Sequence, residues 1–175
     1  MKRYGILLLF IAAIAMSTHS ALAQNKANGG FDKLKSLAGE WQGKKSDGSA
    51  VTVSYQVVSG GNSVMEMIEP GAEPSMVTIY HTNGDKLMMT HYCSVGNQPR
   101  MSAPAPAGEV KSLNFTFVDA TNMAKPTEAH MHSLAMAFQD NDHITELYGI
   151  ELAQKTLRAK HKLKCPILFV SFLDL

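Results

Sequence analysis

Val51-Thr52-Val53-Ser54-Tyr55-Gln56-Val57 alternates side chains without a break: Val51, Val53, Tyr55 and Val57 against Thr52, Ser54 and Gln56. Successive side chains of a strand point to opposite faces, so a period of two marks a strand with one buried face. The same pattern repeats outward from this stretch. Gly60-Gly61-Asn62 turns the chain, and Val64 to Ile68 makes the next strand. Met76 to Tyr80 follows the break at Pro70 and Gly71, and Asn83-Gly84 is the dipeptide preferred in tight hairpins. Leu87 to Cys93 pairs back across that turn, and a short strand is expected near Arg100 and Met101. Ser102 to Gly108, rich in Pro and Ala, reads as an exposed loop. Leu113, Phe115 and Phe117 alternate with Asn114 and Thr116, and residues 119–127 read as a loop. His130 to Phe138 and His143 to Tyr148 flank a turn at Asp140-Asn141-Asp142. Ahead of all this, Phe31, Leu34 and Leu37 recur every three residues as on one face of a short helix, which Gly39 ends.

The expectation is an all-β protein: a single antiparallel up-and-down β-barrel of about eight or nine strands, with a short N-terminal helix. Closure removes exposed sheet edges, and about eight strands leave room for one small ligand. The chain has 175 residues, 45% hydrophobic and 18% charged, which suits one globular domain and excludes a disordered chain. Lys2 and Arg3 precede an almost wholly apolar run from Tyr4 to Met16, and Ala21-Leu22-Ala23 matches a cleavage site. Residues 1–23 therefore read as a secretory signal peptide, which predicts a periplasmic or secreted protein. The apolar run is shorter than the about 20 residues of a spanning helix, so no membrane span is expected after cleavage. The formal charge of +1 falls to −1 without Lys2 and Arg3, giving no electrostatic reason to expect nucleic acid.

The barrel domain is placed at residues 24–150, with an atypical tail over 151–175. The barrel segment holds 9 basic and 13 acidic residues, the tail 5 basic and 2 acidic. Two readings of the tail stay open: an altered end, or a basic helix followed by a strand that docks on the barrel. Cys93 and Cys165 offer one disulfide in an oxidising compartment, against which the odd character of the tail weighs.

Gly39-Glu40-Trp41 stands at the start of the first strand, directly after the short helix. Helix, then Gly-x-Trp, then an antiparallel meander resembles the calycins, the superfamily of lipocalins and fatty-acid-binding proteins, over residues 31 to about 149. The resemblance implies structural roles for Gly39 and Trp41, with the Trp packed across the closed end of a barrel. The chain is also similar to uncharacterised secreted bacterial proteins with a Thr-His-Tyr-Cys … Asn-Gln-Pro-Arg-Met segment, here Thr90 to Cys93 and Asn97 to Met101. That similarity implies no activity.

Alternation puts Leu87, Met89, His91 and Cys93 on one face, and His130, His132, Leu134, Met136 and Phe138 on another. The leading functional expectation is a binding protein for a small, largely apolar molecule, without a cofactor. Met89, Phe115, Phe117, Met136 and Phe138 would line the site, with Arg100, His91 and His132 as polar anchors. The methionine-rich composition suits an adaptable apolar cavity. Arg100 is the single Arg between residues 24 and 150, and some fatty-acid-binding barrels hold a ligand carboxylate with an inward Arg. Glu66, between Met65 and Met67, is expected to face solvent. The alternative is a zinc-, copper- or haem-binding barrel that uses His91, Cys93, His130 and His132, whose imidazoles and thiolate suit such metals. A third class is a small enzyme in the barrel mouth, with His91 as its acid or base. The sequence contains no Gly-x-Ser-x-Gly, phosphate loop, His-Glu-x-x-His or dinucleotide fingerprint.

Overall fold

The computed structural model describes residues 29–151, and of the C-terminal segment the backbone of residues 169–174. Helix α1 spans Gly29–Lys35. It is followed by β1 (Gly39–Lys44), β2 (Ala50–Val58), β3 (Ser63–Glu69), β4 (Met76–Asn83) and β5 (Lys86–Tyr92). Then come β6 (Gln98–Pro104), β7 (Ser112–Thr121), β8 (His130–Phe138), β9 (His143–Glu151) and β10 (Phe169–Asp174). β1 to β9 pair in chain order as an antiparallel up-and-down sheet curled into a half-barrel. The backbone of β10 pairs with β9 on one side and β1 on the other, so that the sheet meets itself.

The alternation that predicts the strands is the alternation that is buried. Val51, Val53 and Tyr55 are 1–2% exposed, whereas Val57, at the end of the run, is 42% exposed. At the β4–β5 hairpin Asn83 pairs with Lys86, so the two loop residues are Gly84 and Asp85, one position beyond the expected dipeptide. Gly84 supplies the φ of +61° that the turn needs.

Two boundaries differ from expectation. β6 continues through Ser102–Pro104, because Lys86, Leu87 and Met88 on β5 pair with it that far, and the loop begins only after Pro104. β7 runs to Thr121, because Gln98, Pro99 and Arg100 pair with residues 119–121. In the tail, the described backbone of residues 169–174 forms β10. The signal-peptide segment, Arg158 and the other basic residues of the tail, and Cys165 lie outside the described residues.

Helix α1 covers one end of the barrel. Phe31, Leu34 and Leu37 are buried, as their spacing predicts. Gly30 approaches so closely that a Cβ there would lie 2.9 Å from Leu87 and 3.0 Å from Pro106. Trp41 is 3% exposed and donates from Nε1 to the carbonyl of Leu37 at 2.7 Å, which ties β1 to the segment leaving the helix. The core above this end is apolar: Leu87, Met89, Met101, Leu113, Phe115, Leu134 and Met136 are each at most 2% exposed. The opposite end of the barrel is built differently.

Candidate functional site

Midway along the barrel, β2, β3, β4 and β9 turn polar side chains inward. Tyr55, Glu66, Tyr80 and Glu146 are 0–1% exposed, and Tyr148 is 8% exposed. Glu66 therefore corrects the expectation that it faces solvent. Val64 and Ile68 set the inward phase of β3, and Glu66 stands between them, while Met65 and Met67 fall on the other face. Glu146 stands in the same way between Ile144 and Tyr148 on β9.

The hydroxyls and carboxyls form one network. Tyr55 Oη lies 2.5 Å from Glu146 Oε1 and 3.1 Å from Glu66 Oε1. Tyr80 Oη meets Glu66 Oε2 at 2.8 Å. Tyr148 Oη lies 2.7 Å from Glu146 Oε2 and 3.4 Å from Glu66 Oε1. These are five O···O contacts among three phenols and two carboxyl groups. Each phenol has one proton to donate, so Tyr55 and Tyr148, which each lie near both carboxyls, donate to one of them at a time. Burial raises both glutamic acids above the ordinary carboxyl range, and the charge of Glu66 raises Glu146 further. Burial, with the neighbouring carboxyls, also lifts the three tyrosines well above their usual value. The network is a buried acid pair held by phenols, in which burial favours the protonated form and Glu146 is raised the more strongly.

Above it, at the end opposite α1, lies a cavity of about 260 Å³. Its walls include Ile68, Met76, Met131 and Ile150, and its polar lining includes His91, Cys93, His130 and Tyr148. Tyr148 thus joins the cavity to the acid pair. His91, on β5, is 3% exposed, and its Nδ1 lies 3.0 Å from Thr78 Oγ1 on β4. Burial pushes its pKa down to about 4, so the ring is neutral at ordinary pH. Cys93 is unpaired among the described residues and lies in the β5–β6 turn, which Asn97 ties to the residue before β8 by donating from Nδ2 to the carbonyl of Ala129 at 2.8 Å. Glu73 also lines the cavity and takes a 2.6 Å contact from buried Lys45.

The residues expected to act together divide into separate groups. His91 lies at the cavity. Met89, Phe115 and Met136 are fully packed and fill the barrel rather than lining the cavity. Phe138 sits at the α1 end, with Lys33 Nζ 5.1 Å from its ring centroid. Arg100 corrects the expectation of an inward anchor. Pro99, Met101 and Ala103 take the inward positions of β6, and Arg100 points outward. There it meets Asp119 with both guanidinium edges, Nε donating to Oδ1 at 2.6 Å. That contact holds the Asp119 carboxyl below its usual range.

The four residues of the metal set do not form one group: His91, Cys93 and His130 line the cavity, while His132 lies outside it, and His130 and His132 meet Glu151. The reason is a bulge: between Met131 and Ser133 the β8–β9 register slips by one residue. His132 is the extra residue, so β8 does not alternate through it and Met131 is buried beside His130. His132 is partly exposed and does not line the cavity. Phe117 packs against both imidazoles, with centroids 4.6 Å from His130 and 4.7 Å from His132, and likewise is not in the cavity wall.

Sequence reasoning missed Glu66, Glu146 and Tyr148. The signal was present: each carboxylate stands at i+2 between two apolar residues of the inward face. No protein-family model and no curated protein matches the chain.

Proposed function

We propose that this is a binding barrel for a small, uncharged, largely apolar molecule, held in the periplasm or outside the cell. The observation that carries the reading is the cavity of about 260 Å³, walled by Ile68, Met76, Met131 and Ile150, with neutral His91 and the Tyr148 side chain among its polar lining. Sites of this kind combine apolar walls with a few placed polar groups. The volume lies just below the about 300 Å³ at which drug-sized pockets begin, so the ligand is small. Its charge follows from the surroundings. Among the described residues the cavity lining holds Glu73 but no Lys or Arg, so an anionic ligand would find no cation in the wall to hold it. The polar end of the ligand is therefore a hydroxyl or carbonyl rather than a carboxylate.

Two further features support the reading. The placement of Gly39-Glu40-Trp41 after α1, with Trp41 buried at the helix-covered end, resembles the closed end of calycin barrels, where the ligand enters from the other side. The signal-peptide pattern supports export. The test is calorimetric titration with a medium-chain alcohol, a ketone and a carboxylate of equal length. The alcohol or ketone is expected to bind in preference to the carboxylate, and Met76→Trp, which fills the cavity, to abolish that binding. Preference for the carboxylate, or binding unchanged by Met76→Trp, would overturn the proposal.

A further inference from the structure

The last residue of β9 and the first of β8 are register partners, Glu151 opposite His130. The bulge at His132 brings a third side chain to them. His132 Nδ1 lies 3.3 Å from His130 Nε2 and 2.8 Å from Glu151 Oε2, and the three atoms fall within 4.8 Å of one another. His130 has its other nitrogen engaged: Nδ1 lies 2.7 Å from the carbonyl oxygen of Glu128. A carbonyl only accepts, so Nδ1 carries the proton and Nε2 presents its lone pair toward His132. This is the outer contact that orients histidine ligands in metal sites.

The arrangement asks much of one proton. His132 Nδ1 faces a carboxylate oxygen and an imidazole lone pair together, and a single N–H is directed at one acceptor. A cation among the three atoms serves all of them. Distances suit it: metal bonds of about 2.0–2.1 Å in a tetrahedron place ligand atoms about 3.3 Å apart. The His130–His132 separation has that value already, the His132–Glu151 contact needs to open by about half an ångström, and His130 and Glu151 lie within 4.8 Å. Phe117 packs against both rings and restricts their rotation. His132 and Glu151 side chains are 44% and 54% exposed, so an ion reaches them and keeps room for water.

We infer that His130 Nε2, His132 Nδ1 and Glu151 form a three-ligand site for a divalent first-row transition ion, with an open position toward solvent. Two imidazoles and one carboxylate are a donor set used by zinc and by non-haem iron(II). His130 also lines the cavity, but His132 and Glu151 do not, so substitutions at those two test the metal site separately from the cavity proposal.

Zinc chloride titrated into the full chain after dialysis against a chelator tests this. One zinc per chain is expected. Glu151→Gln and His132→Gln should each weaken binding by about tenfold or more, the loss typical of disturbing a metal centre. His91→Gln and Cys93→Ser should leave it unchanged. Cobalt(II) in place of zinc should give visible bands that both ligand variants abolish. Glu151 is half exposed, so its variant folds even if a histidine variant does not. Absence of one-to-one binding, binding that survives both ligand substitutions, or binding lost with His91 or Cys93 would each overturn the assignment.

Discussion

His91 and the two buried glutamic acids push the protein's stability in opposite directions with pH. Folded His91 takes a proton only near pH 4, while in the unfolded chain it does so near 6.5. Between those values the unfolded state binds the extra proton, so stability falls as pH drops through the window. The slope is at most about 1.4 kcal/mol per pH unit, which sums to about 3 kcal/mol by pH 4. Urea unfolding at several pH values should show this loss in the parent, and a flatter acid limb in His91→Gln, which keeps a polar partner for Thr78.

Glu66 and Glu146 have raised folded values, so their contribution is fullest below pH 4.5 and is lost as pH rises. Glu146→Gln keeps a neutral polar group among the tyrosines and removes one ionisation from the unfolded chain. The variant should lose less stability than the parent between pH 5 and 8 in the same unfolding experiment. If it loses more, Glu146 is ionised in the folded protein. Tyr80→Phe takes a donor from Glu66 Oε2 and should cost about 1–3 kcal/mol, the penalty for an unsatisfied buried acceptor.

Among the elements, those with simple periods were readable and those with irregularities were not. Val51 to Val57 declares β2, and Phe31, Leu34 and Leu37 declare the buried face of α1, because each burial face repeats at a fixed interval. His130 to Phe138 declares a strand but not its faces. One extra residue at His132 reverses the phase, and no single-sequence pattern distinguishes a bulge from continued alternation. Arg100 misleads for a different reason: a lone arginine invites a ligand role, whereas its inward neighbours Pro99, Met101 and Ala103 decide where it points. The phase of β3 was readable from Val64 and Ile68, yet a carboxylate between two methionines argues for solvent until its partners Tyr55, Tyr80 and Tyr148 are known. Those partners come from other strands, and strand order supplies them. The close docking of α1 gives the prediction at this scale. Gly30→Val would drive side-chain atoms into Leu87 and Pro106 and should destabilise by about 1–3 kcal/mol, read as a lowered midpoint in urea.

At the scale of the whole molecule, the sheet β1 to β9 has two free edges, and β10 covers both. A chain ending at residue 151 retains every strand of the meander and exposes the backbone of β1 and β9. Such edges recruit other chains. This truncation should elute as larger species in gel filtration and unfold at a lower denaturant concentration than the full chain. A monomer of parental stability would show that β10 is dispensable.

Closure by β10 also orders events in time. β1 is made near the beginning of the chain and waits for a partner more than a hundred residues away, since Trp41 is in register with Asp174. Loop-closure entropy makes such distant pairings late and slow. A nascent chain therefore passes through a stage with nine strands assembled and its seam open. Trp41 is the protein's single tryptophan and sits on that seam. Its fluorescence is a built-in clock for the final step of folding.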